Sequence, residues 1–287
     1  MNTECIGIEH PGYPVLLKEI DDPPKALYIR GNRSLLSTRC FAIAGSRRAS
    51  RQGLLAAEMI GKRLAECGIT VVSGLAEGID SAAHRGALSV GGNTIAVLAN
   101  GLDQNYPSSN RELQNEIENK GLLVSEYHDG ITAMKHFFPM RNRIISGLSE
   151  VVIIAEAALR SGSLITAEAA IEQGRRVFSV PGNFMMKCCA GTNHLIVDGA
   201  EELIDINVFL EEAGLHTILK PESRTDLSDD EKEVLDAVLR KGETTTDELV
   251  QETLKSAGAV NGIITVLEIK GLVSMEMGKI FPCVKIL

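Results

Sequence analysis

A rhythm of short apolar runs is the feature that most constrains the fold of this chain. These runs are mostly rich in Val and Ile, and each is too short for a free-standing helix: Phe41–Gly45, Ile69–Ser73, Thr94–Ala99, Leu122–Ser125, Val151–Ala155 and Arg176–Val180. Longer amphipathic stretches such as Leu54–Cys67 and Asn110–Lys120 lie between them. Near-continuous apolar strands that alternate with helices are typical of a parallel sheet covered on both faces. The rhythm therefore predicts an α/β fold with a Rossmann-like, doubly wound, mostly parallel sheet over residues 39–214.

The segments on either side of this region differ from it in composition. Residues 1–38 contain many turn-forming residues, among them Pro11, Gly12, Pro14, Pro23 and Pro24. They predict an irregular lead-in that packs on the core, with one short strand at Ala26–Arg30. The apolar rhythm ends near Gly214, and the stretch that follows includes Lys220-Pro221-Glu222-Ser223. We therefore expect a linker over 215–226 and a second domain over 227–287.

The second domain has the pattern of three helices and a hairpin. Ser228 and Glu231 fit a capping box at the start of the first helix. The expected helices are Asp229–Arg240, Thr246–Ser256 and Val260–Lys270, and the expected strands are Leu272–Met277 and Ile280–Lys285, with a turn at Gly278. This order predicts a small winged-helix domain. From Thr225 to Leu287 there are twelve acidic and seven basic residues. A winged helix that reads DNA presents a basic face, so we expect this one to contact protein or to regulate.

Composition and cysteine usage bound the class of protein. The chain has 287 residues, of which 44% are hydrophobic and 23% are charged, as in ordinary soluble domains. The sequence contains no apolar run long enough to span a bilayer and no signal-peptide pattern at its start, so we expect a cytoplasmic protein without membrane contact. The six cysteines include no CxxC, and Cys188 and Cys189 are the only close pair. Because adjacent cysteines do not easily share one metal, we expect reduced thiols, no metal and no cofactor.

The distribution of charge is more informative than its sum. The net charge is −9, which by itself argues against a phosphate-binding protein. Between Arg39 and Arg63, however, six basic residues stand against the single acid Glu58. Binding depends on the local field, so this asymmetry predicts a positive region at the first strand and the helix after it.

Two loops that follow predicted strands have the composition of anion sites. In an open α/β sheet, ligands bind beyond the carboxyl ends of the strands. The first strand ends in Gly45-Ser46-Arg47-Arg48, and the fifth leads into Ser161-Gly162-Ser163. Backbone amides and hydroxyls at a helix start donate to phosphate oxygens, and an arginine fork matches phosphate. The alternative for the first loop is a tight turn with solvated arginines.

The segment that follows the fourth strand combines cations with aromatic rings. Its candidate contacts are Lys135, Phe138, Arg141, Asn142 and Arg143. Single strands expose bases that stack on aromatic rings and phosphates that need positive charge. We expect Phe137 or Phe138 to face a base; the alternative is that both rings belong to the core.

A third loop carries Asp80 and His84. We expect Asp80 to cap the helix that bears His84, and the histidine to be partly buried. The alternative is a hydrolase in which the two side chains perform acid–base work. Tyr106-Pro107, after the third strand, fits a turn whose tyrosine packs.

Several enzyme classes lack their signatures. The chain has no GxxxxGK[ST], no GxSxG and no HExxH, and the first strand–helix turn reads GSRRASRQG rather than GxGxxG. The sequence therefore gives no support for a P-loop nucleotide site, a dinucleotide cofactor or a zinc protease.

Taken together, these motifs resemble the DprA/Smf (DNA-processing A) family from about residue 11 to 205, and more loosely through the winged helix. The matching segments include Tyr13-Pro14, Asp22-Pro23-Pro24, Gly45-Ser46-Arg47, Val72-Ser73-Gly74-Leu75-Ala76, Gly78-Ile79-Asp80, His84, Tyr106-Pro107, Phe138-Pro139-Met140-Arg141-Asn142-Arg143, Ser161-Gly162-Ser163-Leu164-Ile165-Thr166-Ala167, Val180-Pro181-Gly182-Asn183 and Gly191-Thr192-Asn193. Many motifs in one order make the resemblance specific, although each motif alone is weak.

The resemblance implies a function that composition does not show. Members of the family bind single-stranded DNA, dimerise through the Rossmann-like domain and help to load the RecA recombinase during natural transformation. It implies a phosphate pocket at Gly45, Ser46, Arg47 and the Ser161–Ser163 loop, with neighbouring contacts at Lys135, Phe138, Arg141 and Arg143. Many relatives carry a further helical domain before the Tyr-Pro motif, and contacts of that domain are expected to be lost or replaced here.

The rival interpretation is a nucleotide-binding enzyme or sensor. The predicted fold is similar to that of the "lonely guy" nucleoside-monophosphate phosphoribohydrolases, whose signature PGGxGTxxE ends in a catalytic glutamate. In this chain that position is Ala169, and Glu168 lies one residue early. One residue on a helix turns a side chain by about 100°, so the carboxylate is misdirected for acid–base catalysis. We therefore expect a DNA-binding protein that is not an enzyme.

Overall fold

The computed structural model describes residues 2–217, 227–270, 272–276 and 278–282. These residues form two compact units, and the predicted linker over 215–226 falls at the division between them. Leu215 itself is buried in the core of the larger unit, and residues 218–226 lie outside the described part. Met277 and residues 283–285 of the predicted hairpin also lie outside it.

A single mixed sheet organises the larger unit. Its strands are β1 (Glu4–Gly7), β2 (Ala26–Gly31), β3 (Cys40–Gly45), β4 (Thr70–Ser73), β5 (Thr94–Leu98), β6 (Leu122–Ser125), β7 (Val151–Glu156), β8 (Arg176–Ser179) and β9 (Glu201–Glu202). They lie in the order β1-β2-β6-β5-β4-β3-β7-β8-β9. All neighbours from β6 to β9 pair in parallel. The mostly parallel Rossmann-like sheet is therefore confirmed, and β3 lies at its switch point, between β4 and β7.

The six predicted strands match β3 to β8, and no end differs by more than one residue. The helices of this unit are α1 (Val15–Lys18), α2 (Arg51–Glu66), α3 (Ile79–Ser89), α4 (Arg111–Lys120), α5 (Phe137–Gly147), α6 (Leu164–Glu172), α7 (Ala190–Val197) and α8 (Ile206–Glu212). Within the residues that the structure describes, no helix combines the length and the apolar character needed to cross a bilayer.

Alternating side chains of the strands fill two cores. Phe41 and Ile43 of β3 lie on one face, in a cluster with residues of α2, α3 and α8. Ala42 and Ala44 lie on the other face, in a cluster that includes residues of α5 and α6. Burial of both faces explains why the strands are continuously apolar and why the sequence rhythm was so clear.

The N-terminal lead-in is more regular than its composition indicates. β1 pairs antiparallel with β2, and β2 pairs antiparallel with β6, so the lead-in extends the sheet by two strands. Leu27 and Ile29 are buried and alternate with more exposed neighbours, which is the pattern of a strand with one face on the core. The predicted strand at Ala26–Arg30 is thus present, and β1 was missed because it has only four residues, of which Ile6 alone is buried.

The smaller unit has the predicted winged-helix elements. They are α9 (Asp229–Lys241), α10 (Thr246–Thr253), α11 (Ala257–Ile269) and the antiparallel pair β10 (Val273–Glu276) and β11 (Lys279–Pro282). Ser228 and Glu231 form the expected capping box. Gly278 lies in the turn with a φ of 79°. An apolar core of its own, with Val238, Ile264 and Ile280 at its centre, holds this unit together.

Candidate functional site

An open cavity lies at the carboxyl ends of β3, β4 and β5, where an α/β sheet collects ligands. The space between its walls is about 410 Å³ with the open solvent included. The lining residues are Arg47, Gly74, Ala76, Glu77, Leu98, Ala99, Asn100, Tyr106, Pro107, Phe138 and Arg141. Of the predicted contacts, the structure thus brings Arg47, Phe138 and Arg141 together.

A stack of one cation and two rings forms part of this cavity. The guanidinium carbon of Arg47 lies 4.7 Å from the ring centroid of Phe138. The Phe138 and Tyr106 centroids are 5.4 Å apart. The Tyr106 side chain is exposed, and Arg47 forms no ion pair among the described residues. A free cation held against flat rings suits a ligand that is both aromatic and anionic.

The turn after β3 is closely packed. A methyl group at Gly45 would lie 2.6 Å from Ile79 Cγ1 and 2.8 Å from the Glu156 carbonyl oxygen. The backbone N–H of Ser46 donates to that carbonyl oxygen at 2.7 Å, and the Ser46 hydroxyl accepts from the Arg48 N–H. Glycine is therefore required here by the close approach of the chain, and the turn presents the Arg47 and Arg48 side chains outward.

A carboxylate of the protein itself already accepts hydrogen bonds at the start of α2. α2 begins at Arg51, three residues before the predicted start, and is capped by Ser50. The Glu156 carboxylate, buried at the end of β7, accepts hydrogen bonds from the Ser50 N–H at 2.9 Å and from the Ser50 hydroxyl. The Gly53 N–H donates to the Ser50 hydroxyl oxygen. The Ser46, Ser50 and Gly53 amides thus have partners within the protein. Phosphate binding by Ser46 stays a prediction, and the exposed Arg47 and Arg48 side chains are the groups of this loop that are free to meet an anion.

Arg141 forms the floor of the cavity. It is only 4% exposed and lies directly against Gly74, where any side chain would overlap its guanidinium. Its Nη1 atom is 4.0 Å from Asp80 Oδ2, and its Nε and Nη1 atoms have no hydrogen-bond partner. Burial lowers the pKa of Arg141 to about 10, which leaves it charged at neutral pH. Arg141 is therefore a buried cation whose Nε and Nη1 groups have no acceptor among the residues that the structure describes.

Asp80 and His84 serve the structure of this region. The N-cap of α3 is Gly78, so the prediction that Asp80 caps this helix is wrong; Asp80 lies in the first turn and accepts from the Ala76 N–H at 3.3 Å. Burial raises the pKa of Asp80, and the Arg141 charge opposes this. The Nδ1 atom of His84 pairs with Thr94 Oγ1 at 2.6 Å, and burial lowers the pKa of His84 to about 3. The two side chains have separate partners, as the structural interpretation expects.

The Ser161–Ser163 loop lies outside the cavity lining. Ser161 Oγ and Ser163 Oγ are 2.8 Å apart, and α6 begins at the next residue. Asn142 Nδ2 donates to the Gly162 carbonyl oxygen at 3.3 Å, which ties this loop to α5. The buried Asn142 is therefore a positioning residue for the loop.

Some of the remaining predicted contacts have partners within the protein, and others have none among the described residues. Lys135 is exposed and forms no ion pair among the described residues. Arg143 differs from the prediction: its Nη2 atom donates to both Glu126 oxygens at 2.7 and 2.8 Å, and its Nη1 donates to the Asp22 carbonyl oxygen. Phe137 stacks on Tyr127 with centroids 4.1 Å apart. Arg143 and Phe137 thus have partners within the protein.

Sequence reasoning missed part of the cavity. Asn100 and Tyr106 follow β5, and Gly74 and Glu77 follow β4. The signal that finds them is their place just beyond the strand ends, the same rule that selected Arg47. The sequence predicts a turn in which Tyr106 packs, and the structure leaves this side chain exposed beside Phe138.

Comparison with known proteins decides the family. The family described as DNA recombination-mediator protein A matches residues 4–214, and the DprA winged helix domain matches residues 219–279. This chain belongs to the DNA recombination-mediator protein A family. The DNA processing protein DprA of Streptococcus pneumoniae is 49% identical over 189 residues, which cover 66% of this chain and 67% of that protein.

Two solved DprA structures share the fold of about three quarters of this chain. The S. pneumoniae DprA structure superposes with a TM-score of 0.71 at 45% identity, covering 74% of this chain and 75% of that one. The Helicobacter pylori DprA structure gives 0.69 at 33% identity, covering 75% and 98%. The H. pylori study is described as showing a unique single-stranded DNA binding mode.

Proposed function

We propose that this DprA-family chain binds single-stranded DNA at the carboxyl edge of its parallel sheet, and that it does so without catalysis. The observation that carries the proposal is the unpaired Arg47 guanidinium held against Phe138 in an open cavity. The description of the H. pylori relative as a single-stranded DNA binder supports it.

The geometry accounts for affinity through two contributions. A base that stacks on Phe138 or Tyr106 gains about 1–3 kcal/mol. The unpaired cations Arg47, Arg48 and Lys135 take the phosphates and release counterions, so binding weakens as salt rises. Stacking on a ring accepts any base, so sequence preference is slight. Duplex DNA keeps its bases stacked internally and competes poorly.

The Ser161–Ser163 loop is a second phosphate contact in this proposal. The Ser161 and Ser163 hydroxyls lie at the start of α6, where the helix dipole favours an anion. Asn142 holds the loop in place through Gly162. A strand that leaves the cavity is expected to pass along this loop.

The candidate acid–base groups of the chain are not arranged for catalysis. The exposed Glu168 lies within α6, one residue before the position that the "lonely guy" signature requires. Asp80 and His84 are buried and have separate structural partners. The alternative, a nucleotide enzyme or sensor, predicts that the protein releases free base from a nucleoside monophosphate, and that Glu168→Gln stops the release.

The wider role follows the family description. A recombination mediator brings DNA to a recombinase, so we propose that the chain acts in the cytoplasm with RecA, protects DNA taken up during natural transformation, and works as a homodimer. The winged-helix unit is proposed to contact protein, because α11 contains no lysine or arginine.

Fluorescence anisotropy of a labelled oligothymidylate tests the site. Arg47→Ala is expected to weaken binding by about 10-fold or more, because one stack and one phosphate contact are lost. The matched control is Arg39→Ala: Arg39 precedes β3, and it is paired with Glu150 at 2.7 Å. Equal weakening by both variants, or no binding by the wild type at low salt, would contradict the proposal.

A further inference from the structure

The carboxyl ends of β7 and β8 bring together three groups that can hold a metal. Glu156 is the last residue of β7, and Cys188 and Cys189 belong to the short 3-10 helix Lys187–Cys189 before α7. One ligand atom from each lies within 4.8 Å of the other two. Among the described residues this is the one cluster of three His, Cys, Asp or Glu side chains with such spacing.

The distance between the sulfurs fits a tetrahedral cation. Two thiolates bound to Zn²⁺ at about 2.3 Å lie about 3.8 Å apart. The Cys188 and Cys189 sulfurs are 3.9 Å apart. From sequence alone, adjacent cysteines are not expected to share a metal easily. Here a tight 3-10 turn places both thiols on one side, so that the two sulfurs can face one cation.

The surroundings of the cluster are those of a prepared site. Glu156 is 2% exposed, and no lysine or arginine pairs with it among the described residues. A cation would add an opposite charge, which the hydrogen bonds from Ser50 to this buried carboxylate do not supply. Ser50 holds the carboxylate through its backbone N–H and its hydroxyl. Such partners orient metal ligands.

We propose that Glu156, Cys188 and Cys189 form a binding site for a thiophilic divalent cation such as Zn²⁺. Cys188 is half-buried and provides the route of entry, and a fourth position is left for water. On binding, each thiol releases its proton to solvent and the thiolate takes a coordination position. The site does not depend on the proposed DNA function, and both can be tested in the same protein.

Cobalt titration of the reduced full-length chain tests this site, because thiolate-bound Co²⁺ gives a near-ultraviolet charge-transfer band. We expect one Co²⁺ per chain with that band, displaced by Zn²⁺. Cys188→Ser is expected to weaken binding by at least about 10-fold, since even the loss of a supporting partner has this effect. Cys188 is half-exposed, so this variant keeps the buried core intact.

Cys5→Ser is the matched control, because Cys5 is an exposed thiol on β1. It is expected to bind cobalt as the wild type does. A folded wild-type protein without the thiolate band would overturn the proposal. Equal cobalt affinity in Cys188→Ser and wild type would overturn it as well.

Discussion

The basic residues of the two units differ in what they contact. At the carboxyl edge of the larger unit, Arg47, Arg48 and Lys135 form no ion pair among the described residues. In the winged-helix unit, every lysine and arginine from 227 to 282 is paired: Lys232, Arg240, Lys241, Lys255, Lys270 and Lys279. A cation that is already paired has less to gain from a phosphate. In the proposed function this difference distinguishes the proposed DNA-binding edge from the winged-helix unit, which the net charge of −9 does not do.

The largest effect is expected from removing Arg47 and Phe138 together. Arg47→Ala with Phe138→Ala should weaken single-stranded DNA binding by about 100-fold or more, because each contributes at the level of one stacked base. Anisotropy measures the change, and circular dichroism confirms the fold. A double variant that binds as tightly as the wild type would place the DNA elsewhere.

The two units should also respond differently to acid. His84 is in the larger unit, its folded pKa is about 3, and the sequence has no histidine after His216. Below pH about 6.5 the unfolded chain takes up a proton that the folded chain does not. The contribution of His84 to the free energy of unfolding should therefore fall as the pH drops below about 6.5, by about 1.4 kcal/mol for each pH unit at most.

His84→Gln isolates this effect from that of Asp80. The raised pKa of Asp80 acts in the opposite direction, since the folded state then holds the extra proton. Urea unfolding from pH 7 to 5 should give a shallower loss of stability in His84→Gln than in wild type. Parallel pH profiles for the two proteins would show that His84 is protonated in the folded state.

Within the larger unit, the paired Arg143 can be compared with the unpaired Arg47. Its guanidinium is engaged by Glu126 and Asp22, unlike that of Arg47. We expect Arg143→Ala to lower the free energy of unfolding by about 1–3 kcal/mol, because hydrogen bonds to charged groups are lost. Binding of single-stranded DNA by the folded fraction should change little. A large loss of DNA affinity with unchanged stability would move Arg143 into the binding site.

The smallest effect is expected in the winged-helix unit. Lys255→Ala and Lys279→Ala remove cations that are bound to Asp230 and Glu243. Single-stranded DNA affinity should stay within about 2-fold of wild type, since exposed pairs contribute little. Anisotropy under the same conditions measures this. A loss of affinity as large as that of Arg47→Ala would show that this unit also binds the single-stranded DNA.

The sequence predicts the fold better than it predicts the site. The rhythm from Phe41 to Val180 determines the strands because both faces of the sheet are buried. It does not determine side-chain partners: Arg143 and Arg47 look alike in sequence, yet of the two only Arg143 forms ion pairs among the described residues, with Asp22 and Glu126. Glu156 reads as the end of an apolar strand, and only the fold shows it bound to Ser50 at the start of α2.

The salt dependence of binding tests the central claim most directly. Oligothymidylate affinity would be measured over a salt series for the wild type and for the triple variant Arg47→Ala, Arg48→Ala and Lys135→Ala. Each phosphate contact on a single strand contributes about 0.7 to the slope of log affinity against log salt. Three unpaired cations at the binding edge predict that the slope becomes shallower by about 2. An unchanged slope in a folded triple variant would contradict the account.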